Sequence, residues 1–180
     1  MKINEGKWQR RSIRLPDWDY TSPAVYFVTI CTFRRDCLFE NEAFYEIAAN
    51  ALQRVPKQAH AKHVELGTWV IMPNHVHVIF VFTDYPERKA AIPQKEGLQN
   101  AAPGSLGVVV GRYKTTVTIP INNLRHTKGT SVWQRGYYER IIRNERELHA
   151  TQKYIVENPT RWAEDRDNLD SLVAKMTYHR

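Results

Sequence analysis

The sequence has few cysteines, no long apolar run and no glycine-rich phosphate loop. Cys31 and Cys37 are the two cysteines in 180 residues, and their spacing matches neither a zinc site nor a redox motif. Residues 1–14 are polar and basic, without the apolar core of a signal peptide, and no segment is long enough to cross a bilayer. These absences predict a cytoplasmic protein that has no disulfide framework and no membrane partner.

A nucleotide cofactor is also not expected. No glycine-rich loop is followed by Lys-Ser or Lys-Thr, the pattern whose backbone amides hold the phosphates of ATP.

Positive charge is abundant. The chain has 26 Lys and Arg against 19 Asp and Glu, a net charge of +7, and several acidic residues lie together near the end at 164–170. The segment 112–146 is therefore more basic than the whole chain. This surplus favours a polyanionic partner, although charge alone does not identify it as nucleic acid.

Hydrophobic periodicity predicts an α+β fold. Strands are predicted at residues 26–33, 64–72, 76–82 and 140–143, with a turn at Pro73-Asn74, and helices at 42–55, 106–124 and 145–157, the last capped by Asn144. The β-branched residues at 115–118 and Pro120 leave the middle of the helix at 106–124 open. This order is that of a ferredoxin-like antiparallel sheet with helices on one face, and a further helix is appended. We expect a single domain over residues 1–180 with a mobile loop at 84–104.

His75 and His77 are the strongest local signal. Two residues apart on a strand, their side chains point to the same face and can converge on one ion. Imidazoles in an apolar strand need hydrogen bonds or a metal to offset their burial. The alternative is that both histidines are partly exposed and inert.

The last predicted helix offers a third ligand and a nucleophile. Tyr154 and Asn158 are four residues apart and share a face, whereas Leu148 and Ile155 lie on the stripe that packs against the sheet. From the residues alone, Tyr137 and Tyr138 remain alternatives to Tyr154.

Several motifs occur in the order found in one transposase family. The segments are 69–77 around the histidines, Trp133-Gln134 with residues 137–140, and 154–159, which contains Tyr-X-X-X-Asn-Pro. Together with 11–16, 26–31 and 105–107, they resemble the REP-associated tyrosine transposases, a branch of the single-tyrosine HUH transposases. The resemblance covers nearly the whole chain.

The resemblance implies a role for each residue of the site. It implies that His75, His77 and Asn158 bind a divalent ion, Mg²⁺ or Mn²⁺, and that Tyr154 is the nucleophile. It further implies that the enzyme cleaves and rejoins single-stranded DNA through a 5′-phosphotyrosine link, on a hairpin of a repeated extragenic palindrome. Since a free tyrosine hydroxyl has a pKa of about 10, a base or a cation must favour its phenolate.

Basic and aromatic residues are the candidates for DNA contact, through phosphates or by stacking on an unpaired base. They are Arg34, Arg35, Arg112, Lys114, Trp133, Gln134, Arg135, Tyr137, Arg140 and Arg143.

Two other functional classes share part of this pattern. A histidine-triad nucleotide hydrolase requires a third histidine where Ile79 stands, which argues against that class. A regulator that binds DNA without cutting it would keep the same fold, and the presence of both histidines, Tyr154 and Asn158 together argues against it. The sequence leaves open whether the protein is a monomer or a homodimer.

Overall fold

A four-stranded antiparallel sheet forms the centre of the protein. The computed structural model describes residues 18–84 and 102–162. The elements are β1 (Ala24–Cys31), α1 (Glu42–Gln53), β2 (Val64–Met72), β3 (His75–Phe82), α2 (Leu106–Leu124), β4 (Tyr138–Ile142) and α3 (Glu145–Glu157). The strand order β2-β3-β1-β4 confirms the ferredoxin-like fold.

One face of the sheet holds the main core. Tyr26, Val28 and Ile30 of β1 alternate with residues of the opposite face and pack with the even-numbered residues 76–82 of β3. The apolar sides of α1 and α2 cover this layer, and they contribute Leu52 and Val110 among other residues. The two helices of the ferredoxin-like unit therefore share one face, as predicted.

The opposite face carries the two histidines and is called the histidine face below. A smaller cluster of Phe27, Ile79, Ile142 and Ile155 joins it to α3. The appended helix α3 thus lies across the sheet from α1 and α2. This arrangement brings the last helix of the chain to the strand that carries His75 and His77.

Several boundaries differ from the sequence prediction. β1 ends at Cys31, and the residues from Phe33 to Arg35 form a tight turn in which two arginines have positive φ. α1 ends at Gln53, because Val55 and Pro56 already belong to a separate 3₁₀ turn. α2 is continuous through Pro120, where the sequence had left the middle of the helix uncertain.

The start of α3 is capped as predicted, with one difference. Asn144 Oδ1 accepts from the Glu147 amide at 2.9 Å, as the N-cap prediction requires. Glu147 Oε2, however, accepts from the Arg143 amide at 3.1 Å, one residue before the position that a capping box uses.

Most of the predicted mobile loop at 84–104, namely residues 85–101, lies outside the described residues, as do residues 1–17 and 163–180. Over the ranges that the structure covers, no helix combines the length and the apolar character needed to cross a membrane.

Candidate active site

His75 and His77 lie side by side on the histidine face, at the start of the interior strand β3. Their Nε2 atoms are 3.0 Å apart, and the two residues are 1% and 2% exposed. In the sheet register His75 is opposite Cys31 and His77 is opposite Thr29. The interpretation that the pair is partly exposed and inert does not fit this burial.

The second nitrogen of each imidazole has a partner that sets its orientation. The Nδ1–H of His75 donates to Asn74 Oδ1 at 2.7 Å, which leaves the lone pair of its Nε2 facing His77. His77 Nδ1 lies 2.9 Å from Thr29 Oγ1. A hydroxyl can donate or accept, so Thr29 serves either tautomer of His77.

Both imidazoles are neutral at physiological pH. Burial, and to a smaller extent the nearby Arg35 guanidinium, lowers the pKa of His75 to about 3. Burial and the neighbouring His75 hold the pKa of His77 well below its ordinary value. Neutral imidazole is the form that binds a metal, so the site is in the ligating state without losing a proton.

Tyr154 reaches this pair from α3. Its hydroxyl oxygen lies 3.3 Å from His77 Nε2. Its ring meets the His77 ring at a centroid distance of 5.3 Å and the Phe27 ring edge-on at 6.1 Å. Ile155, fully buried against the sheet, fixes the rotation of the helix so that Tyr154 faces the histidines.

Asn158 lies one turn beyond Tyr154. It is 1% exposed, and neither its Oδ1 nor its Nδ2 has a hydrogen-bond partner within residues 18–84 and 102–162. Four residues further on, the Trp162 ring lies 6.0 Å from the His75 ring. Asn158 begins the 3₁₀ turn after α3 and lies in the chain between Tyr154, whose ring contacts that of His77, and Trp162, whose ring lies near that of His75.

The residues present fit a divalent ion. Two ligands at right angles on bonds of about 2.1 Å are separated by about 3 Å, the spacing of the two Nε2 atoms. A buried amide without a partner is costly, and a cation that bound its oxygen would offset that cost. In residues 18–84 and 102–162 no group of three His, Cys, Asp or Glu side chains could hold a metal, so a metal bound to the two histidines would need a third protein ligand of another type, such as the Asn158 amide.

Two of the predicted DNA-contacting side chains, those of Lys114 and Trp133, are engaged inside the protein, and Gln134, which is half-buried, takes part through its backbone carbonyl. The Lys114 ammonium donates to the carbonyl oxygens of Gln134, at 2.9 Å, and Gly136. The Trp133 indole N–H donates to Lys114 O at 3.1 Å, and the ring is buried in the core. The Trp133 ring packs beside the Phe39 and Tyr113 rings, at centroid distances of 5.4 and 5.8 Å, so little of it is open to a base.

The other candidates are spread over more than one surface. Arg34, Arg112, Arg135 and Arg143 are exposed, whereas Arg35, Tyr137 and Arg140 are half-buried. Arg140 lies 3.8 Å from Glu147, so part of its charge is balanced. Arg112 belongs to α2, on the face opposite the histidines, and Arg35 is the one whose charge reaches His75.

Sequence reasoning missed Thr29, Asn74, Phe27 and Trp162. Alternation along β1 indicates that Phe27 and Thr29 share a face, but the register that puts Thr29 opposite His77 depends on how two distant strands pair. Asn74 was assigned to the turn only, although it sits directly before His75.

Comparison with known proteins identifies the relatives of this chain. No family model matches it. An uncharacterized protein of Haemophilus influenzae is 34% identical over 179 residues, covering 94% of this chain and 98% of the relative. The chain belongs to the family of that protein. The function of the relative is not described by its name.

The fold is shared with a solved transposase. The structure of a REP-associated tyrosine transposase bound to a REP hairpin has a TM-score of 0.55 and 19% identity, over 83% of this chain and 74% of that one. The resemblance seen in the sequence is thus confirmed at the level of the fold. A crystal structure of a Deinococcus radiodurans protein assigned as a transposase has a TM-score of 0.40 and 16% identity, too low to carry weight.

Proposed function

We propose that this protein is a metal-dependent transposase of the HUH type, which cleaves and rejoins single-stranded DNA through Tyr154. The observation that carries the proposal is the convergence of the Tyr154 hydroxyl and the paired Nε2 atoms of His75 and His77, at 3.3 and 3.0 Å. The proposed nucleophile and the two neutral imidazoles therefore lie together on the histidine face of the sheet.

In the proposed reaction, the Tyr154 oxygen attacks a phosphorus of the DNA backbone. The bond from phosphorus to the 3′ oxygen breaks, the DNA 5′ end becomes linked to Tyr154, and the tyrosine proton passes to solvent while the leaving 3′ oxygen gains a proton. Attack by a 3′-hydroxyl on the phosphotyrosine reverses the step and joins strands. The number of phosphodiester bonds is conserved, so the cycle needs no ATP.

His75, His77 and Asn158 would hold the divalent ion, Mg²⁺ or Mn²⁺. When bound, the ion supplies an electrophile that grips a phosphate oxygen and offsets the charge that develops on it. Asn74 and Thr29 hold the imidazoles at the angles that present both Nε2 atoms. Phe27 packs against both the His77 and Tyr154 rings and so keeps the Tyr154 hydroxyl beside the His77 imidazole.

The proposed substrate is a hairpin of single-stranded DNA with unpaired flanks. Support comes from the net charge of +7 and from the shared fold with a transposase solved on a REP hairpin. Cytoplasmic location and the action of residues 1–180 as one domain belong to the same proposal.

A covalent-adduct assay tests the function. Purified protein is mixed with labelled hairpin oligonucleotides that carry randomised unpaired flanks, with Mg²⁺, with Mn²⁺ or with EDTA, and adducts are separated by denaturing electrophoresis. We expect a metal-dependent adduct, its loss in Tyr154→Phe, and its retention in Tyr45→Phe on α1, far from the histidine face. An adduct that persists in Tyr154→Phe would refute Tyr154 as the nucleophile, and tight binding with no adduct would indicate a DNA-binding regulator instead.

A further inference from the structure

The turn that follows β1 lies at the histidine end of the sheet. Cys31, the last residue of β1, is opposite His75. The next residue, Thr32, donates from its amide and from its hydroxyl to Asn74 O, each at 2.9 Å. The Asn74 side chain in turn accepts the hydrogen bond of His75 Nδ1, so Asn74 connects the turn to the proposed metal ligands.

Two consecutive arginines in this turn adopt the left-handed region. Arg34 has φ 55° and Arg35 has φ 59°. A Cβ makes this conformation unfavourable, and glycine adopts it without that cost. Positive φ at residues other than glycine carries an energetic cost and is concentrated at functional sites, where the side chain has a role that glycine could not fill. Glycine would fit this backbone conformation better, yet the sequence has arginine at both positions.

The side chains of the turn form a cationic aromatic surface. Phe33 is 39% exposed, although its amide is fixed by donation to Val132 O at 2.8 Å. The Arg34 guanidinium carbon lies 5.2 Å from the centre of the Phe33 ring. An exposed ring on a well-anchored backbone, with positive charge beside it, is what single-stranded nucleic acid requires for stacking and phosphate contact.

Arg35 adds a second guanidinium to this turn. It is half-buried and directly follows Arg34, in the turn whose first residue, Thr32, is hydrogen-bonded to Asn74. A guanidinium stays charged in a protein, so the two arginines can contact successive phosphates of a DNA backbone.

We propose that Phe33, Arg34 and Arg35 form a platform for single-stranded DNA, on which the unpaired base next to the cleaved phosphate stacks on Phe33 while the arginines hold the adjoining phosphates. The inference rests on the proposed function, since it places the platform beside the phosphate that Tyr154 attacks. Phe33 thereby acts as a positioning residue for the substrate.

Binding measurements on two oligonucleotides test the platform. One is a hairpin with unpaired flanks that carry fluorescent 2-aminopurine, and the other is the same hairpin with blunt ends. We expect Phe33→Ala to weaken binding of the flanked hairpin about tenfold and to abolish quenching at one flanking position, with little change for the blunt hairpin. Phe33→Trp should keep affinity and quenching.

Glycine variants separate charge from backbone strain. Arg34→Gly removes a guanidinium while suiting the left-handed conformation, so we expect this variant to be at least as thermally stable as the wild type. Arg34→Gly and Arg35→Gly should both bind DNA more weakly, with a shallower dependence on salt. Tyr45→Ala and Arg54→Ala, exposed on or just after α1, are the matched controls and should bind as the wild type does.

The outcomes distinguish this inference from the proposed function. If Phe33→Ala binds the flanked hairpin and quenches as the wild type does, the platform is refuted even where a Tyr154 adduct forms. If binding and quenching depend on Phe33 but no metal yields an adduct, the platform stands and the transposase reaction fails. If the wild type binds neither oligonucleotide, both are refuted.

Discussion

The Tyr154 hydroxyl lies 3.3 Å from Nε2 of His77, although 77 residues separate the two in the chain. That nitrogen also lies 3.0 Å from Nε2 of His75. The contact exists because α3 packs on the histidine face of the sheet, held by Ile155. The position of the Tyr154 hydroxyl, the proposed nucleophile, therefore depends on the packing of α3 against the strands.

Thr29→Val should weaken metal binding without unfolding the protein. The change removes the hydroxyl 2.9 Å from His77 Nδ1 and keeps the branched shape in a buried strand. Loss of such a supporting partner lowers metal affinity by roughly 10- to 100-fold. Titration of Mn²⁺ in the adduct assay measures the change, and Thr29→Ser, which keeps the hydroxyl, should behave as the wild type. Equal Mn²⁺ dependence in both variants would mean that Thr29 does not orient His77.

Asn158→Leu should separate stability from metal binding. Both amide atoms of Asn158 are buried and without a partner in the described residues, so replacing it by an apolar side chain should leave the metal-free protein as stable or more stable. The increase in melting temperature that Mn²⁺ gives the wild type should disappear. Thermal unfolding with and without Mn²⁺ measures both effects.

Asn122 provides the matched control for that substitution. It is also a buried asparagine, but its Nδ2 donates to Thr130 O at 2.8 Å and its Oδ1 accepts from Arg125 Nε at 3.0 Å. Asn122→Leu should lower the melting temperature and keep the response to Mn²⁺. A similar loss of stability in Asn158→Leu would show that Asn158 is a structural residue.

Acid should destabilise the metal-free protein through the two histidines. Their pKa values are lower in the folded state than the ordinary 6.5, and that of His75 falls to about 3. Between these values the unfolded chain binds more protons, so the free energy of unfolding falls as pH drops from 6.5 toward 3. The slope reaches about 1.4 kcal/mol per pH unit for each histidine.

Urea unfolding at pH 7 and pH 5 measures this dependence. The double change His75→Gln and His77→Gln should flatten it, whereas His126→Gln, at an exposed position, should leave it unchanged. A dependence that survives the double change would assign the acid sensitivity to other groups.

Lys114→Met should loosen the segment before β4. The ammonium donates to the Gln134 and Gly136 carbonyls, and its burial lowers the pKa of Lys114 to about 8. Losing hydrogen bonds to a charged donor costs roughly 1.5–3 kcal/mol each. Amide hydrogen exchange at residues 134–138 should become faster, whereas Lys128→Met, at an exposed residue, should change nothing there. If exchange is unaffected but DNA binding loses salt dependence, Lys114 contacts phosphate as the sequence first indicated.

The sequence predicted the elements well, because periodicity and capping are local. The amphipathic stripe of α1, the turn at Pro73-Asn74 and the Asn144 cap depend on neighbouring residues. The sequence predicts a strand that continues to Phe33, because Phe33 has high strand propensity, whereas β1 ends at Cys31. The turn that follows is anchored by hydrogen bonds from Thr32 to Asn74, which lies far from it in the sequence.

For the candidate site, too, local geometry could be predicted and long-range contacts could not. The sequence was sufficient to predict that His75 and His77 share one face of a strand and that Tyr154 and Asn158 share one face of the last predicted helix, because side-chain direction follows from strand and helix geometry. Only the tertiary structure decided that these faces meet, that Thr29 and Asn74 orient the imidazoles, and that Trp133 is buried. Strand register and helix docking are set by burial of apolar surface from the whole chain, which no local pattern contains.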